Sequence, residues 1–394
     1  MALVLTSVRL HHDADARHGA LALRIDATHP IEPPEWRLDA AGRVHSAPAA
    51  YARRDAAGQP LRLDATFERT GALPDEVEVR AIDFPASAWS APNLLGDVSP
   101  QRVRLGAAAR SGAVRFTLEG SRIGSRGVGR YAVHWRWQYR ATPAAAWTDF
   151  AWTSHTVYLL LGVPTDPWQQ APEQGDDTQL PWAAVLDHAC TWAAGATTPD
   201  AAAAAVTAQV YTLGLLGVIR YGCPVWAMEM YARSFAPWNH FDLTAWLERL
   251  AGGWGNGPYV NCTDCATAVS TFANALGCDL WQSRMGRYLP QFETFPILAV
   301  GAAQWQIPCG IWPAFSFHEV AWTGACGDDD TVYDACLLLD VDAMPWLAPR
   351  QAVLPVAARF GRAGEGGYRD RLATPAGRLD CVPRAAERRR RAVF

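Results

Sequence analysis

The sequence predicts an α+β chain in which an N-terminal β region precedes a half built from helices and short strands. Three observations carry this. Period-2 alternation fills the first 163 residues, helical patterns run between about 199 and 277, and all nine cysteines lie after position 189. At 394 residues the chain is long for one domain, and roughly 100–200 residues per domain gives two or three.

The β region rests on residues 21–25, 77–81, 114–118 and 131–137, where apolar and polar side chains alternate. Such strands bury one face and wet the other. Gly, Pro, Asp and Ser separate them, and 156–161 is the last. Many short strands with turn signals predict a β-sandwich-like domain over 1–163. A linker follows at 164–180, with Pro164, Pro167, Pro172 and the polar run 173–177.

Helices follow. Pro199-Asp200 starts one that runs to about 219. A short amphipathic helix over 241–250 ends at Gly252-Gly253, and a glycine-rich loop leads to a third helix from Asn261 to Gly277. Residues 315–322 and 331–339 return to strand patterns. These elements define a domain over 181–345. Beyond it, 346–394 is a C-terminal extension without strong periodicity.

Composition narrows the function. Half the residues are apolar and 19% are charged, as in a well-buried protein. A net charge of −4 offers no basic field for nucleic acid. The cluster Arg388–Arg391 is expected to be a solvated tail. No apolar run reaches the length of a membrane span. The first residues do not form a signal-peptide core, so the expected location is the cytoplasm, or outside the cell by a route without a cleaved signal. Nine cysteines make a poor disulfide framework, and most are expected to be buried small hydrophobes.

Cys262 stands apart. Asn261 is a good N-cap and Asp264 occupies the third helical position, which together resemble a capping box. Cys265, Val269, Phe272 and Leu276 give the helix one apolar face. Cys262 then sits in the first turn, where unpaired N–H groups and the positive dipole end favour a thiolate and can hold an oxyanion. A structural cysteine would also fit there, so its partners matter. With Cys265 it makes a Cys-x-x-Cys pair. A zinc site would need a second matching pair, and a thioredoxin-like redox pair would need a βαβ context; both are missing. No metal and no cofactor are expected.

A cysteine nucleophile needs a base and an orienting acid. His318 is the sole histidine after position 240, in a strand-like run. Asp334 interrupts the apolar stretch 331–339, which is costly unless something pairs with it. A hairpin would bring the two together. Asp340 is the weaker alternative acid, because it ends the stretch. Glu319 is expected to point away from His318. Trp254 and Trp281, near the nucleophile helix in sequence, are candidates for the substrate cleft.

The order Cys262, His318, Asp334 resembles the transglutaminase-like superfamily of papain-related enzymes. Cys262, Ala266 and Gly277 match the spacing of that family's nucleophile helix. His318 with Trp322, and Tyr333-Asp334, resemble its histidine and acid segments. The likeness covers about 200–345. It implies a transglutaminase-like (papain-like) core behind the β-sandwich. It also implies a cysteine-dependent enzyme acting on carboxamide or peptide bonds of a protein or peptide substrate, through a thioester and without a cofactor. After Gly277 the chain reads Cys278-Asp279-Leu280-Trp281 rather than the family's usual continuation, so the substrate does not carry over. Protease, deamidase and crosslinking outcomes stay open, as does a delivered effector. The competing class is a non-catalytic interaction scaffold.

Overall fold

The computed structural model describes residues 2–12, 19–53, 60–84, 93–106, 109–168, 179–222, 231–233, 239–305, 314–340, 352–353 and 357–394. Cys223, Cys309 and the polar run 173–177 lie outside these. The chain divides into two units, Met1–Val163 with Pro181–Thr197, and Pro164–Leu180 with Thr198–Phe394. Together they form a mixed α+β protein with one large curled sheet and, among the described residues, five α-helices.

In the first unit the strands are β1 (Leu3–Leu10), β2 (Trp36–Leu38), β3 (Val44–Ser46), β4 (Ala49–Ala52), β5 (Arg62–Arg69), β6 (Glu76–Asp83), β7 (Asp97–Arg104), β8 (Val114–Glu119), β9 (Gly129–Arg140) and β10 (Thr148–Leu160). They make one sheet in the order β3-β2-β1-β5-β8-β7-β6-β9-β10-β4. The β7–β8 junction is short, with Asp97 opposite Glu119 and Val98 opposite Leu118. The inward residues on both sides of it, from Leu5 and Phe116 to Trp137 and Val157, belong to one apolar cluster. The alternation in β5, β6 and β9 is the burial pattern of this curled face.

Residues 21–25 alternate but form only isolated bridges, Leu21 to Ala50 and Arg24 to Pro30 and Trp182. The cause is local. The Asp26 carboxylate accepts the N–H groups of Thr28 and His29 at 2.9 and 3.0 Å, folding the chain back before a ladder can extend. Helix α1 (Ala183–Trp192) lies against β9 and β10.

The second unit opens with α2 (Pro199–Leu215), capped by Thr198. Then come β11 (Arg220–Tyr221), β12 (His240–Phe241), α3 (Leu243–Leu250), β13 (Tyr259–Val260) and α4 (Cys262–Ala275). Strands β14 (Trp281–Met285), β15 (Phe292–Glu293), β16 (Leu298–Ala299), β17 (Ala314–Phe315) and β18 (His318–Trp322) follow. After them run β19 (Thr331–Tyr333), β20 (Leu337–Asp340), β21 (Ala352–Val353), β22 (Ala358–Arg359), α5 (Tyr368–Leu372) and β23 (Ala392–Val393). The order β14-β18-β19-β22 forms a four-stranded antiparallel sheet. Helix α4 packs on β18 and α2, and every residue of α4 is buried.

The expected strand over 331–339 is two strands separated by Asp334–Cys336. Asp334 Oδ1 accepts the N–H groups of Cys336 and Leu337 at 2.7 and 3.2 Å. The side chain competes with the ladder for those donors and turns the chain. The C-terminal residues also differ from the expected solvated tail. Arg391 is fully buried, and β23 pairs in parallel with β12. No helix among the described residues is long and apolar enough to cross a membrane.

Candidate active site

The start of α4 is fixed by a reciprocal cap. Asn261 Oδ1 accepts the Asp264 N–H at 3.0 Å, and Asp264 Oδ2 accepts the Asn261 N–H at 3.0 Å. Asp264 Oδ1 takes the Tyr231 and Ala232 N–H groups at 2.9 and 2.7 Å. Its carboxylate therefore ties the helix start to the chain before β12. The Cys265 N–H donates to the Asn261 carbonyl at 3.1 Å. Among the described contacts, the first-turn N–H groups of Cys262 and Thr263 donate to no partner. These are the orphan donors that any helix start leaves. Cys262 lies between them and is 8% exposed.

Strand β18 runs between β14 and β19, and its five residues are buried. His318 begins it, with the ring stacked on Phe315 at 5.8 Å. Its Nε2 bonds Asp334 Oδ2 at 3.0 Å. The Cys262 thiol lies near enough to favour the charged imidazole as well. Burial disfavours charge on His318, but the Asp334 carboxylate and the Cys262 sulfur outweigh it and raise its pKa to about 10. His318 and Asp334 are thus bonded to one another, with Cys262 within electrostatic reach of the imidazole. Asp334, rather than Asp340, is the acid bonded to His318.

The acid carries a partner that sequence reasoning missed. The Tyr368 hydroxyl donates to Asp334 Oδ2 at 2.6 Å, and burial and that carboxylate push the phenol pKa well up. Tyr221 was missed as well. Its pKa is raised first by burial and next by Cys262, which places the phenol in the electrostatic field of the thiol.

Glu319 takes partners of its own. Its carboxylate accepts from Thr263 Oγ1 at 3.0 Å, Arg284 Nε at 3.0 Å and Arg391 Nη1 at 2.8 Å. Arg391 also donates to Thr267 Oγ1 and Gln282 Oε1, at 3.0 and 2.7 Å. Burial would raise the Glu319 pKa, yet the Arg391 and Arg284 charges hold it near 2. This network joins the residue after Cys262, the residue after His318 and the chain end. The sequence did hold a signal. Glu319 lies inside an apolar strand and demands a buried cation.

The two tryptophans sit differently. Trp254 is 70% exposed in the loop before β13. Trp281 faces Arg390 at 3.8 Å and Arg388 at 4.6 Å from its ring centroid. Among the described contacts neither touches Cys262, His318 or Asp334. The other described cysteines are buried and free. Cys265 and Cys336 lie close enough to perturb each other's thiols. No group of three or more His, Cys, Asp or Glu among the described residues is arranged to hold a metal ion.

Comparisons with known proteins add little. No protein-family model matches the chain. No curated protein matches it in sequence. Among solved structures it is similar to the transglutaminase of red sea bream, at 12% identity and a TM-score of 0.38, over 83% of this chain and 51% of that one. The chain thus spans about half the length of that enzyme.

Proposed function

We propose that this chain is a cysteine-dependent enzyme that acts on carboxamide or peptide carbonyls through a thioester, with Cys262 as nucleophile, His318 as base and Asp334 as orienting acid. The observation that carries this reading is the placement of His318. One ring nitrogen is held by a buried carboxylate, and the thiol that favours the charged imidazole opens a capped helix. A scaffold gains nothing from burying these three groups against one another, since each is costly to desolvate alone.

In the proposed reaction His318 already holds the proton of Cys262, as its raised pKa favours, and the sulfur attacks the carbonyl carbon as a thiolate. The oxyanion is received by the unpartnered N–H groups of Cys262 and Thr263. His318 then protonates the leaving amine or ammonia, and a thioester remains on Cys262. Water, deprotonated by His318, releases the acid; an amine in its place gives a new amide. Asp334 keeps Nε2 protonated and steadies the imidazolium. The fold proposed for this chemistry is a papain-like core at 181–345, after a sandwich-like domain at 1–163 and the 164–180 segment. The 346–394 extension supplies Tyr368 and Arg391 to the core. Trp254, exposed beside the nucleophile helix in sequence, and Trp281 are the proposed substrate contacts.

Candidate proteins incubated with the enzyme and analysed by mass spectrometry test this. A deamidation of about 1 Da, a cut or an amine adduct is expected, absent with Cys262→Ala. Modification that persists with folded Cys262→Ala would overturn the reading.

A further inference from the structure

We propose that Tyr368 is a positioning residue of this site, a fourth member that acts through Asp334 and limits how strongly the carboxylate holds the imidazolium of His318. The proposal rests on the triad reading above. Asp334 Oδ2 receives two donors, His318 Nε2 at 3.0 Å and the Tyr368 hydroxyl at 2.6 Å, while Oδ1 is taken by two backbone N–H groups. Every hydrogen that reaches Oδ2 from Tyr368 spreads charge that His318 would otherwise draw on. A catalytic acid must give its proton to the leaving group, and an imidazolium bound too tightly to its carboxylate is a poor acid.

Tyr368 is built to stay in this role. The phenol keeps its proton, because burial and Asp334 both oppose ionisation, so toward the carboxylate it acts only as a donor. Tyr368 opens α5 and its ring stacks on Phe360 at 6.4 Å. The turn before it is held by Asp370, which accepts the Gly364 and Gly366 N–H groups at 3.0 and 2.7 Å. Gly367 is required there, since a Cβ would come within 2.6 Å of the Phe360 carbonyl oxygen. A residue needed only to fill space would not call for so fixed a hydroxyl.

The groups facing the His318–Asp334 pair are Cys262 on α4, Tyr368 on α5 and the N–H groups of Cys336 and Leu337. Tyr211, Tyr221, Cys265 and Cys336 lie within electrostatic reach of Asp334, and burial pushes all four up. For Cys265 the nearby Cys336 thiol opposes that rise. None of them supplies a second positive dipole to Asp334 Oδ2.

The test follows the His318 imidazole by NMR of full-length protein labelled in its histidines, with His318→Gln for assignment. Alkylation of Cys262 by iodoacetamide is followed against pH on the same samples. Tyr368→Phe removes the positive end of the hydroxyl dipole and should move His318 deprotonation up by about half a unit to one unit, with the alkaline limb of alkylation moving alike. Replacing Tyr368 by 3-fluorotyrosine keeps the shape but makes a stronger donor, so the shift should be downward; this keeps the test open if Tyr368→Phe folds poorly. Neither shift should survive in an Asp334→Asn background. Unmoved titration in both Tyr368 variants, with Asp334→Asn still lowering it, overturns the role of Tyr368 alone. A His318 titration that ignores Asp334→Asn overturns the triad reading itself.

Discussion

Arg391→Met should be strongly destabilising, although it lies only three residues before Phe394. The side chain is fully buried and gives Nη1 to Glu319 at 2.8 Å. Removing it leaves the Glu319 carboxylate buried with Arg284 as its remaining bonded cation. Losing one partner of a buried pair costs about 3–5 kcal/mol. The carboxylate gives an independent figure. Its pKa is held near 2 against an ordinary 4.5, although burial pushes the other way. A shift of that size is worth about 3 kcal/mol at neutral pH. Both figures put the whole network at roughly 3 kcal/mol, with Arg391 its largest favourable contributor. The sign follows from the depressed pKa: the contribution is full above about 4.5 and is lost as pH falls through about 2. Urea unfolding of parent and Arg391→Met at neutral pH and near pH 3 measures it, and the difference should shrink in acid. Arg388→Ala, which loses a ring contact to Trp281 and a long exposed hydrogen bond to the Gly324 carbonyl, serves as control and should cost less than about 1 kcal/mol. An Arg391→Met loss below about 1 kcal/mol would mean that the arginine run is a solvated tail after all.

Other outcomes follow from the same structure. His155 is buried with neither ring nitrogen bonded, and burial, helped by His134, lowers its pKa from 6.5 to about 3. The unfolded chain takes up that proton first, so stability falls as pH drops below 6.5; the loss is about 2 kcal/mol at pH 5. His155→Leu should flatten that acid limb in thermal unfolding, and an unchanged limb would exclude His155 as its source. Asn261→Ala breaks the cap of α4 and should cost about 1 kcal/mol in urea unfolding while slowing Cys262 alkylation. Cys262→Ala should melt close to the parent and lose turnover, whereas Cys265→Ala should keep turnover; the reverse pattern would move the nucleophile to Cys265.

Much of this was legible in sequence where the cue was local. Asn261 and Asp264 announced the helix start because capping needs only residues three apart, and the structure has both reciprocal bonds. The alternation of 77–81 and 131–137 marked strands because one buried face suffices to set it. The misses have a common cause, a partner supplied from far along the chain. Arg391 sits 72 residues from Glu319, and Tyr368 sits 34 from Asp334. A run of arginines and a lone tyrosine give no periodic signal of burial. Asp334 was noticed as an interruption of an apolar stretch. That its own carboxylate captures the next N–H groups and ends the strand was a turn signal left unread.

Competitive alkylation of the native protein near pH 7, with each cysteine quantified by mass spectrometry, is the most direct test of a catalytic Cys262. Burial pushes the thiol pKa upward at Cys190, at Cys278, Cys326 and Cys381 to about 12, and at Cys336. Cys265 is raised too, although the nearby Cys336 thiol works the other way. Cys262 alone among the described cysteines lies against an imidazole whose pKa of about 10 keeps it charged. The expected result is dominant, early labelling of Cys262 that falls sharply in His318→Ala. Labelling of Cys262 no faster than that of Cys336, and unchanged in a folded His318→Ala protein, would contradict the triad and favour a scaffold.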